Sequence, residues 1–136
     1  PASPDFNAFH DYYFYADDYW DADSADTLCA LDVATFAAEP EIDLLVMMFG
    51  ELDGVGHESG YGADYATYQA MLTKIDSEMG DIVAAIKDRA TYASEDWLII
   101  VSTDHSGNPE LHHGYNIPEH RLTPLIVSGP TTANHP

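Results

Sequence analysis

Three short segments of this chain carry imidazole and carboxylate groups beside glycine. They are Glu51-Leu52-Asp53-Gly54-Val55-Gly56-His57, Thr103-Asp104-His105-Ser106-Gly107 and His112-His113-Gly114. Taken singly the first is a moderate signal and the other two are weak, since a loop Asp often caps a turn, adjacent side chains usually diverge, and one His of an adjacent pair is usually solvated or packing. Taken together they form a set of nitrogen and oxygen donors of the kind that binds Zn²⁺. Gly54 and Gly56 argue against a helix between Asp53 and His57, and favour a turn that folds His57 back toward Asp53. Spacing alone does not choose between His112 and His113.

Other chemistries fail on inspection. His57-Glu58-Ser59-Gly60-Tyr61 lacks the second His of the zincin helix. Ser102, Asp104 and His105 are too close in sequence to line up as nucleophile, orienting group and base. No Gly-rich phosphate loop occurs. Asp21, Asp23 and Asp26 suggest a calcium loop, but Ala25 and Asp26 stand where that motif needs an oxygen ligand and a glycine.

The elements that must position these groups follow from periodicity. Ser24 can cap a helix reaching about Ala38, with Leu28, Leu31, Ala34, Thr35 and Ala38 on its apolar side, and Pro40 closes it. Ile42–Phe49 is a nearly continuous apolar run, which predicts a strand buried on both faces of a parallel sheet. A long helix is expected from about Ala63 to Ala90, with Tyr65, Tyr68, Leu72, Ile75, Met79, Ile82 and Ile86 as its buried stripe. Trp97–Ser102 reads as a second strand and Leu125–Val127 as a third. Strand, long helix and strand imply a right-handed crossover, so the class is α/β. In such sheets ligands gather at the carboxyl ends of strands, where the first two donor segments fall. Residues 1–23 are acidic and aromatic without a clear period, and read as loops with one short strand near Tyr12–Tyr15.

Composition narrows the function. The chain has 136 residues, 24 Asp or Glu against 4 Lys or Arg, and a formal charge of −20. A phosphate backbone needs basic side chains to displace its counterions, so a simple nucleic-acid-binding module is excluded, and docking on anionic lipid is disfavoured. At 46% hydrophobic it is too apolar for a disordered acidic tail. No apolar run is long enough to span a bilayer. Residues 1–73 hold 15 of the carboxylates and no Lys or Arg. Such a surface suits a salty, extracellular or periplasmic setting, or gathers cations. The lone cysteine, Cys29, leaves the redox compartment open.

The ordered series Leu44–His57, the long helix, Ile100–His105 and His113-Gly114 resembles the alkaline phosphatase superfamily, and most of all its nucleotide pyrophosphatase/phosphodiesterase branch. The resemblance spans about Leu44 to Gly129. It implies a three-layer sandwich with a mainly parallel sheet, only partly contained in this chain. Residues 1–40 would supply an acidic aromatic segment plus a helix, and 41–130 the metal-bearing core of one hydrolase domain. By resemblance, Asp53, His57 and His113 hold one zinc ion, with His112 the fallback for His113, and Asp104 and His105 serve a second. The resemblance also implies a phosphoester substrate, a Thr or Ser nucleophile and one further Asp. Neither of the last two matches any segment of residues 1–43, so both are expected upstream, and the rest of the catalytic domain becomes this chain's partner. Ser106 stands where the family usually has Gly. A nucleophile missing from the complete protein would favour a different reading, a non-catalytic or structural protein that keeps the fold and part of the metal site.

Overall fold

The computed structural model describes residues 25–130. The helix cap at Ser24, the calcium-loop candidates Asp21 and Asp23 and the strand expected near Tyr12–Tyr15 lie outside them. The described elements are α1 (Ala25–Ala37), α2 (Glu51–Ser59), α3 (Ala66–Lys87), a 3₁₀ turn (Tyr92–Ser94), β1 (Ile99–Ser102), α4 (Pro118–Arg121) and β2 (Leu125–Ser128). No helix among them is long and apolar enough to cross a membrane.

Helices α1 and α3 form the core. Ala30 and Ala37 of α1 meet Ile82 and Ile86 of α3, with Val33, Leu45, Met47, Phe49 and Trp97 packed around them. Alanines on α1 let the two backbones approach closely, so small residues rather than leucines make this face. The apolar side expected for α1 is therefore corrected: Leu28 and Leu31 are both 58% exposed. The α3 stripe holds at Ile82 and Ile86, whereas Leu72 is half exposed.

Arg89, just past α3, ties the end of α1 to the segment that leads into β1. Its guanidinium donates to the carbonyls of Ala37 (2.7 Å), Glu39 (2.5 Å) and Pro40 (3.2 Å), groups the end of α1 leaves without helical partners. It also pairs with Glu95 through Nε at 2.8 Å and Nη2 at 2.9 Å, and lies over the Trp97 ring.

The sheet departs from expectation. Strands β1 and β2 pair antiparallel, with Ile99 opposite Ser128 and Ser102 opposite Leu125. The chain between them contains only the single turn of α4, not a crossover helix, so it returns beside β1 in the opposite direction. Ile42–Phe49 has no regular secondary structure and belongs to no ladder among the described residues. It is covered on one face only. Leu45, Met47 and Phe49 pack on the helical core, while Leu44, Val46 and Met48 are 76%, 80% and 68% exposed. A groove of about 940 Å³ lies between this segment and β1. The described residues thus form an α/β unit of four helices and a two-stranded antiparallel sheet, not a mainly parallel three-layer sandwich.

Candidate metal centre

Helix α2 is the first surprise at the site, because Asp53 and His57 lie within it despite two internal glycines. Its stability comes from outside its own sequence. The Asp26 carboxylate, reaching from α1, accepts the Gly50 N–H at 3.0 Å and the Glu51 N–H at 2.8 Å. Those are orphan donors of the first turn, and a carboxylate there also meets the positive end of the helix dipole. Glu51 returns the bond by accepting the Asp26 N–H at 3.2 Å, and Lys74 pairs with its other oxygen. Gly60 ends the helix at φ 103°, a conformation that favours glycine. The expected turn is therefore corrected to a helix, in which the four-residue spacing sets Asp53 and His57 on one face.

Four of the sequence-derived donors converge. Asp53 Oδ2 lies 3.6 Å from His57 Nε2, and Asp53 Oδ1 lies 3.6 Å from His113 Nε2 and 3.9 Å from His105 Nε2. The Nε2 atoms of His57 and His113 are 2.9 Å apart. The His105 and His113 rings stack at 3.8 Å between centroids. The tightest set of three is Asp53, His105 and His113, whose donor atoms all fall within 4.8 Å of one another. His57 joins it through His113. Asp104 stands at the rim, 84% exposed in its side chain, with Oδ2 3.7 Å from His105 Nε2 and Oδ1 accepting the His105 N–H at 3.0 Å. The exposed His112 donates its backbone N–H to Asn108 Oδ1.

These donors suit a small divalent ion. Bonds of about 2.0–2.1 Å in a tetrahedron put neighbouring donors roughly 3.3 Å apart, within a few tenths of an ångström of most separations seen here. The tautomer of His57 fits as well. Its Nδ1 is 3.1 Å from the Leu111 carbonyl, which can only accept, so Nδ1 carries the proton and Nε2 presents a lone pair to the cluster. Leu111 adopts φ 66°, left-handed backbone that is costly for a branched residue, in the act of directing that carbonyl. Burial and the neighbouring His105 depress the His113 pKa, the attraction of Asp53 notwithstanding, which favours the neutral, metal-binding ring.

Tyr61 is the functional neighbour that sequence reasoning missed. Its hydroxyl donates to Asp53 Oδ1 at 2.5 Å, and its ring meets His57 and His113 edge-on. Desolvation first, and then the bond to Asp53, push its pKa above the ordinary phenol value. The ring occupies a slot between two glycines: a Cβ would lie 2.3 Å from it at Gly56 and 2.3 Å from it at Gly107. One glycine belongs to each of the first two donor segments, so Tyr61 is packed between them. The signal available in the sequence is that pair of glycines, of which Gly56 suggests a turn rather than room for a ring.

No curated protein and no solved structure matches the chain. A family model does, over residues 4–121, and it spans all four converging donors, Asp104 and Tyr61. With that match over most of its length, the chain belongs to the type I phosphodiesterase/nucleotide pyrophosphatase family, within the alkaline phosphatase superfamily.

Proposed function

We propose that this chain is the metal-binding part of a zinc-dependent hydrolase of phosphoric esters, acting on diesters or nucleotide pyrophosphates. The observation that carries the reading is the convergence of Asp53, His57, His105 and His113 on one pocket in a member of this family. Asp53, His57 and His113 would hold one ion, with Asp104 and His105 serving a second from the other side. Bound zinc would supply Lewis-acid stabilisation of the phosphoryl oxygens and help ionise the attacking hydroxyl.

The chain's own residues prepare that chemistry. The Leu111 carbonyl keeps the His57 proton on Nδ1, away from the cluster. Tyr61 holds the Asp53 carboxylate toward the two imidazoles by donating to Oδ1. Stacking of His105 on His113 fixes both ring planes, so neither imidazole need be ordered when an anionic substrate arrives. The acidic surface would repel such a substrate unless cations offset it, and it is consistent with an extracellular or periplasmic setting. The Thr or Ser nucleophile and one further carboxylate are assigned to the remainder of the catalytic domain, whose sheet would continue into a three-layer sandwich. By this account residues 1–136 alone turn over no phosphoric ester.

The test is hydrolysis of a nitrophenyl phosphodiester by the complete protein. Activity should vanish with a chelator, return with zinc, and be lost in Asp53→Ala. Turnover indifferent to both the chelator and that substitution would overturn the proposal.

A further inference from the structure

As a whole residue, His120 is the most buried of the described residues that carry an ionisable side chain, 3% exposed, and it lies outside the donor set. It sits in α4, a single turn opened by Pro118 and closed by the bond from Leu122 N–H to the Pro118 carbonyl. Two bonds leave it in different directions. Its Nδ1 accepts the Tyr115 N–H at 3.0 Å, two residues beyond His113. Its carbonyl accepts the Ser106 N–H at 3.1 Å, one residue beyond His105. The two loops that deliver the stacked imidazoles are therefore tied to the same residue.

The ring's second polar contact is missing. With Nδ1 accepting, a neutral imidazole must carry its proton on Nε2, and that buried atom has no partner among the described residues. An orphaned buried donor is destabilising, and an apolar side chain of similar size would avoid it. A histidine here thus costs stability locally while providing the acceptor that Tyr115 needs. Packing alone does not explain that choice. Within the same loops, Asn108 donates its N–H to the His112 carbonyl at 3.0 Å and its Oδ1 accepts the N–H groups of Glu110 and His112. The His113 loop is thus fixed before His113 by Asn108 and after it by His120.

We propose that His120 is a positioning residue that holds the His105 and His113 loops in register, so that their stacked imidazoles reach the same two-ion site. The proposal rests on the metal reading above. Its effect on metal runs through the Nδ1 acceptor and not through bulk, and Asn can offer an acceptor at about the same place whereas Phe cannot.

The experiment compares His120→Phe and His120→Asn with the unchanged complete protein by zinc titration and by amide hydrogen exchange of the zinc-free protein. His120→Phe should weaken zinc binding by about tenfold or more, the range seen for outer partners of metal ligands. It should also speed exchange at the Tyr115 amide, while His120→Asn restores both. Equal loss in the two variants, or zinc binding in His120→Phe matching the unchanged protein, would overturn the proposal. Should His120→Phe fail to fold, His120→Asn decides alone: near-native zinc affinity and Tyr115 protection support the acceptor role, and loss of either refutes it. If the unchanged protein binds zinc no better than an Asp53→Ala control, the functional reading fails. Exchange at the Tyr115 and Ser106 amides then decides the brace by itself.

Discussion

Replacing the two glycines of α2 by alanine should move stability in opposite directions, although both lie in the same helix two residues apart. At Gly54 an added Cβ meets nothing within 4 Å. Only the backbone effect remains there, and Gly54→Ala should stabilise by roughly 0.5–1 kcal/mol. At Gly56 the new Cβ would lie 2.3 Å from Tyr61 Cε1 and 2.5 Å from its Cδ1 and Cζ. The ring has little room to retreat, because it also fills the space beside Gly107, where a Cβ would likewise lie 2.3 Å from it. Tyr61 must leave its slot. Exposing an aromatic ring that is now only 7% exposed costs about 1.5–3 kcal/mol, and losing its bond to a carboxylate costs about as much again. Against these stands the helix gain of about 1 kcal/mol and whatever water restores to the freed groups, leaving Gly56→Ala destabilised by roughly 2–4 kcal/mol. Denaturant unfolding of the complete protein reads both values, and zinc titration should show weaker binding only in Gly56→Ala. The double variant Gly56→Ala/Tyr61→Ala should be no worse than Tyr61→Ala alone, since the clash needs both partners. Equal stability of the two glycine variants, or additive losses in the double variant, would refute the argument.

The same contacts predict other outcomes. Tyr61→Phe keeps the ring in its slot but loses the donor to Asp53, so zinc affinity should fall about 10- to 100-fold and stability by roughly 1.5–3 kcal/mol, the share of the Gly56→Ala loss that this bond supplies. Glu95 accepts from Arg89, Thr91 and Trp97, which pulls its pKa down to about 2. A carboxylate lowered in the folded state stabilises above its ordinary value of 4.5 and loses that contribution as pH falls toward 2. Melting temperatures measured across that range should therefore slope less steeply with pH in Glu95→Gln than in the unchanged protein. Because the His113 pKa is depressed, its ring remains neutral below the ordinary imidazole value of 6.5, and zinc binding should persist into mildly acid solution where a freely exposed histidine would be charged.

The donor residues were legible in the sequence because their signal is local. Aspartate, histidine and glycine recur in short segments, and the apolar runs before two of them suggest where the segments sit. The helical state of Asp53–His57 was not legible, since Gly54 and Gly56 are poor helix formers and the compensation lies elsewhere. Asp26 caps the helix from 24 residues away, and Gly56 is small to admit a ring. Tyr61 and His120 were equally hidden. One acts through a slot that only folding creates, and the other binds backbone N–H and carbonyl groups, which every residue carries. The strand at Ile42–Phe49 was expected because its composition suits a two-sided environment. Among the described residues only one side is covered, by Ile82, Ile86 and their neighbours, and no ladder forms. Leu28 and Leu31 were misplaced for a related reason: apolar spacing marks a face, but the close crossing of α1 and α3 selected the alanine face.

Anomalous diffraction at the zinc absorption edge, from crystals of the complete protein grown with zinc, tests the central claim most directly. The account predicts an ion bonded to an Asp53 carboxylate oxygen and to His113 Nε2 at about 2.0–2.2 Å, with His57 Nε2 completing its protein ligands. The account would be contradicted by a zinc-soaked crystal with no anomalous peak between these side chains, the His57 and His113 imidazoles bonded directly to one another instead.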